Sequence, residues 1–190
     1  DLRNLECAVA ITLAMGLKES LIIENLKLLN RPIGRMQECK SLYNKSRVFI
    51  DFAHTPDALK NILLSLKKIE NKKSSILFGC GGNRDSSKRL EMGKIANKFA
   101  DKVYITDDNP RYENPSKIRE DIRLGCKRSF VIDNRYRAIK IAINNLSNNE
   151  MLVIAGKGHE KFQIIKNKKN KFDDFSIANK FILKRNNEKR

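Results

Sequence analysis

The chain has little of several residue types that would point to a particular class of protein. Its 190 residues include no tryptophan, two histidines and four cysteines, and only 7% of them are aromatic. The cysteines, Cys7, Cys39, Cys80 and Cys126, are far apart in the sequence, so they match neither the spacing of a zinc site nor a disulfide-rich scaffold. We interpret them as reduced thiols that mainly fill packing positions.

Long apolar runs are also absent. No stretch approaches the roughly 20 apolar residues that are needed to span a bilayer. The first four residues, Asp-Leu-Arg-Asn, lack the charged and then apolar order of a signal peptide. We therefore expect a cytoplasmic protein without a membrane partner. The length and the 41% hydrophobic content suit one well-packed domain with an appendage.

Acidic residues are outnumbered, since 39 Lys and Arg face 22 Asp and Glu and the formal net charge is +17. Such a charge attracts nucleic acid, anionic lipid or a phosphorylated substrate without choosing among them. Part of it lies near the C-terminus, where lysines surround Asn167 and Asn170 in a predicted hairpin turn. Few aromatic residues are interleaved with these lysines, whereas proteins that bind single-stranded nucleic acid present stacking platforms. We favour a solvated basic surface and no nucleic-acid partner, with a nucleic-acid-binding module as an alternative.

Two helices are predicted at the start of the chain. Apolar residues from Leu5 to Leu13 recur at helical spacing until Gly16, and Ser20 is a candidate cap for a second helix that ends near Arg31-Pro32. Two amphipathic helices cannot bury their apolar faces alone. We therefore predict that residues 1–33 are the end of another domain and that residues 34–190 form the main domain.

Beyond these helices, short apolar runs alternate with helical patterns. The predicted strands are residues 48–50, 75–78, 103–105, 130–132 and 151–154, and the predicted helices are residues 56–69, 88–99, 115–124 and 135–146. This alternation predicts an α/β fold with a Rossmann-like, mainly parallel sheet and helices on both of its faces. Residues 162–165 and 171–172 would add a C-terminal hairpin, and residues 176–183 a last helix.

A polar loop, Thr-Asp-Asp-Asn-Pro-Arg at residues 106–111, follows the predicted strand 103–105. Open α/β sheets bind ligands at this end of their strands. The Arg111 guanidinium can grip a carboxylate with two hydrogen bonds, Asn109 both donates and accepts, and the aspartates can hold an ammonium. Pro110 restricts the backbone, which would hold these groups in place before a ligand arrives. The loop suits a zwitterionic amino acid, and an ordinary polar loop that caps the next helix is the alternative.

Three other strand ends also carry polar residues. Asp51, which could accept from ribose hydroxyls, and His54, which could reach a phosphate or a nucleotide, follow the first strand. The glycines of residues 79–85 would let an anion approach the backbone, and Arg84 adds positive charge. Residues 156–160, Gly-Lys-Gly-His-Glu, bring a second carboxylate. Each segment alone is equally typical of a structural turn, and neither common glycine-rich phosphate-binding pattern occurs in the chain.

Taken together, these segments resemble the C-terminal part of the Mur ligases, in family order and at family-like spacing. The resemblance rests on Gly34-Arg35-Met36, residues 51–59, residues 79–85 with Lys88-Arg89, residues 107–111 and residues 156–160. In that family, Asp-Asn-Pro-Arg in the third of these segments goes with meso-diaminopimelate as the amino acid added. The physical reason is that Arg111 can pair with a distal carboxylate that lysine does not have.

The resemblance implies a role for each site residue. The diaminopimelate pocket would be lined by Arg84, Asp108, Asn109, Arg111, Gly156 and Glu160. Arg84 and Arg111 would meet carboxylates, and Glu160 the distal ammonium. Arg35, Asp51 and His54 would lie on the ATP side, with Arg35 and Asp51 nearest the ribose. No catalytic nucleophile and no metal ligand is expected in this chain.

The resemblance also implies the activity of the intact enzyme, an ATP-dependent amide ligase that adds meso-diaminopimelate to UDP-N-acetylmuramoyl-L-alanyl-D-glutamate in peptidoglycan synthesis. This chain would be a monomeric C-terminal fragment, with residues 1–33 as the tail of a central domain that binds ATP and Mg²⁺. Without that domain and the N-terminal UDP-binding domain, we expect weak binding of the amino acid and no catalysis. The alternatives are another ligase of this architecture, such as a folylpolyglutamate synthase, the nucleic-acid-binding module, and a decayed gene remnant.

Overall fold

The computed structural model describes residues 2–30, 32–68 and 73–189. The chain divides into two compact units, residues 1–32 and residues 33–190. That division lies one residue from the boundary expected after residue 33. The origin of the first unit in a central domain stays a prediction. None of the described helices is long and apolar enough to cross a membrane.

The first unit consists of two helices, α1 (Leu2–Ala14) and α2 (Glu19–Leu26). Helix α1 ends where predicted, because Gly16 adopts a φ of +83° that a glycine takes without strain. The predicted cap at Ser20 is wrong. Helix α2 begins two residues earlier, at Glu19, and its N-cap is Lys18, whose side chain makes no capping hydrogen bond. The predicted end of this helix near Arg31 is also wrong, because α2 ends at Leu26 and residues 27–30 are not helical.

The second unit is built on a six-stranded sheet. Its strands are β1 (Gln37–Glu38), β2 (Arg47–Asp51), β3 (Ser74–Phe78), β4 (Lys102–Ile105), β5 (Phe130–Val131) and β6 (Met151–Ala155). Their order across the sheet is β1-β2-β6-β3-β4-β5, and every neighbouring pair is parallel except β1 with β2. A separate antiparallel hairpin is formed by β7 (Phe162–Ile165) and β8 (Lys168–Lys171). The predicted α/β fold with a mainly parallel sheet and a C-terminal hairpin is confirmed.

Five helices connect or follow these strands: α3 (Pro56–Lys67), α4 (Lys88–Phe99), α5 (Pro115–Arg123), α6 (Arg135–Asn144) and α7 (Asp174–Asn187). The predicted cap of α3 is confirmed, because the Thr55 hydroxyl accepts from the backbone N–H of Ala58 at 3.3 Å. Helix α7 begins two residues before the predicted start, since the Asp173 carboxylate accepts from Phe175 N. The predicted end of α3 at Ile69 lies outside the described residues.

The central strands of the sheet are buried on both faces, as their continuous apolar runs predict, whereas the edge strand β5 is exposed and the prediction of a buried strand there is wrong. Alternate residues of β6 belong to different cores: Met151 and Val153 pack with α3, α4 and α5, while Leu152 and Ile154 pack with α6 and α7. All five residues of β6 are buried. Helices therefore cover both faces of the sheet, in agreement with the prediction.

The strand order creates a crevice at the carboxyl edge of the sheet. Strands β3 and β6 are neighbours, yet α4, which follows β3, packs on one face, and α7, the next helix after β6, packs on the other. Ligands of open α/β sheets bind where neighbouring connections diverge in this way. The loops after β3, β4 and β6 therefore border a natural binding position.

Candidate functional site

A cleft of about 360 Å³ opens among the loops that follow β2, β3, β4 and β6. All six residues predicted to contact the amino acid border it, namely Arg84, Asp108, Asn109, Arg111, Gly156 and Glu160. His54 borders the cleft as well, whereas Arg35 and Asp51 are not among its lining residues. The fold thus brings together predicted site residues that are up to 106 positions apart in the sequence, since Glu160 follows His54 by that number. Their roles as ligands stay predictions.

The floor of the cleft is a polar network around Asn109, which is 3% exposed. Its Oδ1 accepts from Lys157 Nζ at 3.0 Å and from the backbone N–H of Ile164 at 2.9 Å. Its Nδ2 donates to Glu160 Oε2 at 2.9 Å, the oxygen that also accepts from Lys157 Nζ at 2.9 Å. The loop after β4, the loop after β6 and strand β7 are joined through these contacts.

Asp108 lies next to this network and is also buried. Its Oδ1 accepts from the N–H of Asn109 at 2.7 Å, and its carbonyl oxygen accepts from Gln163 Nε2 at 2.8 Å. Burial raises the pKa of the Asp108 carboxyl above its ordinary value, although the charges of Arg135 and Lys157 act in the opposite direction. Gly156 has a φ of +109°, and a Cβ there would lie 2.8 Å from Asp108 Oδ2. Glycine at this position therefore lets the loop after β6 approach the Asp108 carboxyl.

Arg111 is fixed to the structure at its backbone and at one nitrogen of its guanidinium. Its φ of +51° is uncommon for a residue with a side chain. The hairpin supports this conformation, because the Arg111 N–H donates to Ile164 O at 3.1 Å and Lys166 N donates to Arg111 O at 2.6 Å. Nη1 donates to Gly82 O at 2.9 Å. These contacts place the guanidinium at the cleft, and its Nη2 and Nε donors make no hydrogen bond to the described residues.

The loop after β3 is fastened by a buried arginine of α4. Arg89 is 2% exposed and donates to Glu113 Oε2 at 2.8 Å and to Asp121 Oδ2 at 3.0 Å. The other oxygen of Glu113 accepts from the N–H of Asn83. Arg84, the next residue in the loop, is exposed and makes no hydrogen bond or ion pair within the described ranges. The loop is therefore anchored while the Arg84 guanidinium stays available at the cleft.

Aromatic rings cluster at the end of β2. The Phe52 ring lies 4.7 Å from that of His54 and 5.2 Å from that of His159, and the Arg35 guanidinium lies 4.8 Å above it. His54 Nδ1 is 2.7 Å from the carbonyl oxygen of Phe52. Because a carbonyl only accepts, this nitrogen donates, and Nε2 of the imidazole is left for a ligand.

Asp51 has structural contacts that sequence reasoning did not anticipate. One carboxylate oxygen accepts from Met36 N and the other from Ala53 N, each at 2.7 Å. Asp51 is 5% exposed. The carboxylate predicted to face a ribose thus holds the segment around Met36 against the end of β2.

The residues at the end of β2 fit a nucleotide in part. Phe52 and the two histidines offer flat surfaces for a base, and Arg35 offers a cation for phosphates. The two backbone hydrogen bonds of Asp51 leave it less free to bind a ribose. Across residues 2–30, 32–68 and 73–189, no group of three or more His, Cys, Asp or Glu is placed to hold a metal ion.

Three buried charged residues around the cleft were not predicted: Lys157, Arg89 and Arg135. Lys157 and Arg89 lie in segments on which the resemblance to the Mur ligases rests. Each of them pairs with a residue far away in the sequence, and the sequence alone does not reveal that partner. A lysine between two glycines after a buried strand is the one signal that could have indicated Lys157, because a loop so compact leaves its side chain little access to solvent.

Residues 34–158 match the family described as Mur ligase, glutamate ligase domain. The chain belongs to the Mur ligase family. The predicted resemblance is thereby confirmed, and the match covers the loops after β2, β3 and β4 and the first part of the loop after β6, up to Gly158.

Two curated relatives of this Mur ligase chain carry the name UDP-N-acetylmuramoyl-L-alanyl-D-glutamate–2,6-diaminopimelate ligase. The protein from Buchnera aphidicola subsp. Baizongia pistaciae is 44% identical over 187 residues, which are 96% of this chain and 37% of the relative. The protein from Rickettsia bellii is 48% identical over 168 residues, which are 86% of this chain and 35% of the relative. The Mur ligase chain therefore spans little more than a third of the length of these relatives.

Solved structures agree with this assignment. A structure of a UDP-N-acetylmuramoyl-L-alanyl-D-glutamate–2,6-diaminopimelate ligase is 34% identical, has a TM-score of 0.75, and is matched over 96% of this Mur ligase chain and 38% of its own. A UDP-N-acetylmuramate-alanine ligase from Thermotoga maritima is 18% identical with a TM-score of 0.67, over 98% of this chain and 37% of its own. The second likeness shows the shared fold alone.

Proposed function

We propose that this chain is the amino-acid-binding C-terminal part of an ATP-dependent ligase that adds meso-diaminopimelate to UDP-N-acetylmuramoyl-L-alanyl-D-glutamate. The observation that carries the proposal is one cleft bordered by Arg84, Arg111 and Glu160, which lie on three different loops. The names of the relatives at 44% and 48% identity support the same ligand. Because those relatives are much longer, the activity of the whole enzyme belongs to the proposal.

The charges around the cleft suit a molecule with an ammonium and a carboxylate at each end. The Arg111 guanidinium would pair with the distal carboxylate of diaminopimelate, and Glu160 would accept from the distal ammonium. Lysine carries that ammonium without the carboxylate, so it would leave Arg111 without a partner. Arg84 would pair with the carboxylate at the end that reacts. These residues would thus distinguish diaminopimelate from lysine and fix its direction in the cleft.

The contribution of this chain to the reaction would be orientation. ATP, as a cosubstrate, supplies the activation that makes the D-glutamate carboxyl group of the precursor electrophilic. The amine held in the cleft would form the new C–N bond as the C–O bond to phosphate breaks. When the amine is held at the correct position, a bimolecular reaction becomes effectively unimolecular. This effect supplies a large part of the rate acceleration of many enzymes. No residue of the cleft is needed as a nucleophile.

The nucleotide would approach the ring cluster at the end of β2, with Arg35 and His54 as its nearest contacts. Mg²⁺ would be held by the part of the longer enzyme that this chain does not include. We further propose a monomer in the cytoplasm, where the ATP that the reaction consumes is available. The 190-residue chain alone should bind diaminopimelate weakly and should not form amide product.

A titration of the purified chain tests the proposal. We expect meso-diaminopimelate to bind with saturation and to shift the backbone NMR signals of Asn109, Arg111 and Gly156. L-lysine should bind at least about tenfold more weakly, since it lacks one charge-assisted pair. No response to diaminopimelate would refute the proposal. Salt-sensitive DNA binding together with that result would favour the nucleic-acid-binding module, and amide formation by the isolated chain would refute the claim that it is inactive alone.

A further inference from the structure

Lys157 is a fully buried lysine whose contacts lie inside the proposed amino-acid site. Its side chain is 0% exposed, and its ammonium reaches Asn109 Oδ1 at 3.0 Å and Glu160 Oε2 at 2.9 Å. Lysine is almost never fully buried without a partner, because the charge loses its hydration. Here both partners are residues that border the cleft.

The contacts of Lys157 determine which way the Asn109 amide points. Lys157 Nζ and the N–H of Ile164 both donate to one atom of that amide. An ammonium and a backbone N–H cannot accept, so the atom they meet must be the oxygen. The amide nitrogen is thereby directed to Glu160 Oε2, at 2.9 Å.

The same contacts give the two carboxylate oxygens of Glu160 different roles. Oε2 accepts from both Lys157 Nζ and Asn109 Nδ2. Oε1 makes no hydrogen bond with the described part of the chain, and the Glu160 side chain is 37% exposed. One oxygen is therefore used to fix the carboxylate, and the other is free at the cleft.

We propose that Lys157 is the positioning residue of the amino-acid site: it sets the orientation of the Asn109 amide and holds the Glu160 carboxylate with one oxygen directed to the ligand. Lys157 itself does not contact the ligand. The identity of the ligand, an amino acid with a distal ammonium, rests on the proposed function. The effects of Lys157 on Asn109 and Glu160 do not.

The charges that face Glu160 come from several elements. Lys157 follows β6, Arg111 and Asp108 follow β4, and Arg135 begins α6. Burial alone would raise the pKa of the Glu160 carboxyl, but the hydrogen bonds from Lys157 and Asn109 outweigh burial and lower it. Without Lys157, the pKa should rise. Glu160 would then become protonated as the pH falls through this higher value, and it would no longer accept an ammonium as a carboxylate.

The test compares Lys157→Met with Lys161→Met in the 190-residue chain. Methionine is similarly long and unbranched, so it fills the buried space without the charge. Lys161 is a matched control, because it pairs with Asp173 at 2.8 Å on the surface and not with the cleft. Carbon-detected NMR would follow the titration of the Glu160 carboxyl, and ¹⁵N spectra the Asn109 side-chain amide. Affinity for meso-diaminopimelate would be measured at about pH 5 and about pH 8.

We expect Lys157→Met to raise the Glu160 titration midpoint and to displace the Asn109 side-chain signals, while Lys161→Met changes neither. Diaminopimelate affinity should fall at least about tenfold at the lower pH and less at the higher pH. An unchanged Glu160 midpoint in folded Lys157→Met would refute the proposal. If that variant does not fold, Lys157→Gln, which keeps a donor but no charge, gives the same readout. Failure of the unmodified chain to bind diaminopimelate would refute the proposed function alone, because both NMR readouts are made without ligand.

Discussion

Arg135 and Asp174 form a fully buried ion pair, with Nη2 to Oδ2 at 2.6 Å and Nε to Oδ1 at 2.9 Å. The same guanidinium donates to the carbonyl oxygens of Ala155 at 3.0 Å and Asp107 at 3.4 Å. Ala155 and Asp107 directly precede Gly156 and Asp108, which border the cleft. The pair therefore connects α6 and α7 to the two backbone segments that carry the site.

Removing Asp174 should destabilise the second unit strongly. Asp174→Ala leaves the Arg135 charge buried without its partner, which typically costs about 3 to 5 kcal/mol. Urea unfolding followed by circular dichroism would measure the loss. The matched control is Glu120→Ala, because Glu120 pairs with Arg123 on the surface, where water and salt screen the attraction and the pair contributes little to stability. Equal losses in the two variants would contradict the structural role assigned to Arg135.

Asp51 offers a second test, since both of its oxygens accept backbone hydrogen bonds. Asp51→Ala should speed the hydrogen exchange of the Met36 and Ala53 amides by about fivefold or more, the equivalent of roughly 1 kcal/mol for each lost bond. Met36 has a φ of +44°, which is strained for a residue with a side chain, so the segment should relax once these bonds are lost. Exposed Asp57 provides the control as Asp57→Ala. Unchanged exchange in Asp51→Ala would show that these bonds do not hold the segment around Met36.

Most of the second unit could be predicted because its central strands are buried on both faces. Runs such as Met151–Ala155 are apolar at every position, so they are visible without knowledge of their partners. The strand Gln37–Glu38 was missed, since it is two polar residues whose extended form depends on pairing with β2. Strand β8 begins at Lys168 and not at the predicted residue 171, because an exposed Lys-Lys-Asn-Lys strand has no apolar alternation and is defined by its pairing with β7.

The part of the candidate site that could be predicted consists of residues that the sheet topology alone brings together. Parallel strands place their carboxyl ends at one edge, so polar residues after separate strands meet without further information. Buried charges were not predictable in the same way. Arg135 lies 39 positions from Asp174, and Arg89 lies 32 positions from Asp121. Only the folded chain shows that such arginines are paired, and the sequence alone leaves them among many surface cations.

The cysteines should differ sharply in reactivity. Burial raises the pKa of the Cys39 and Cys80 thiols to about 12 in each case, and Cys126 is buried with a raised pKa as well. Cys7 is exposed. Since the thiolate is the reactive form, a raised pKa leaves little of it at about pH 8. A thiol reagent should therefore modify one cysteine rapidly in the native chain and the other three only on unfolding. Cys7→Ser should abolish the rapid phase, and its persistence in that variant would contradict the burial of Cys39, Cys80 and Cys126.

Arg111 gives the sharpest test of ligand choice. Arg111→Ala should weaken meso-diaminopimelate binding by about 2 to 4 kcal/mol, because the distal carboxylate would lose its charged partner. Lysine, which lacks that carboxylate, should bind equally well before and after the change, so the preference between the two amino acids should disappear. Arg111→Lys keeps the charge without the two-pronged geometry and should restore part of the difference.

Exposed Arg123, which pairs with Glu120, supplies the control as Arg123→Ala. Calorimetric titration of the 190-residue chain and its variants with both amino acids would measure these effects. Because the side-chain Nη1 of Arg111 also donates to Gly82 O at 2.9 Å, circular dichroism should accompany each titration to separate lost binding from a displaced loop. A folded Arg111→Ala chain that still prefers diaminopimelate over lysine would show that another cation selects the distal carboxylate, and Arg84 would then be the residue to change.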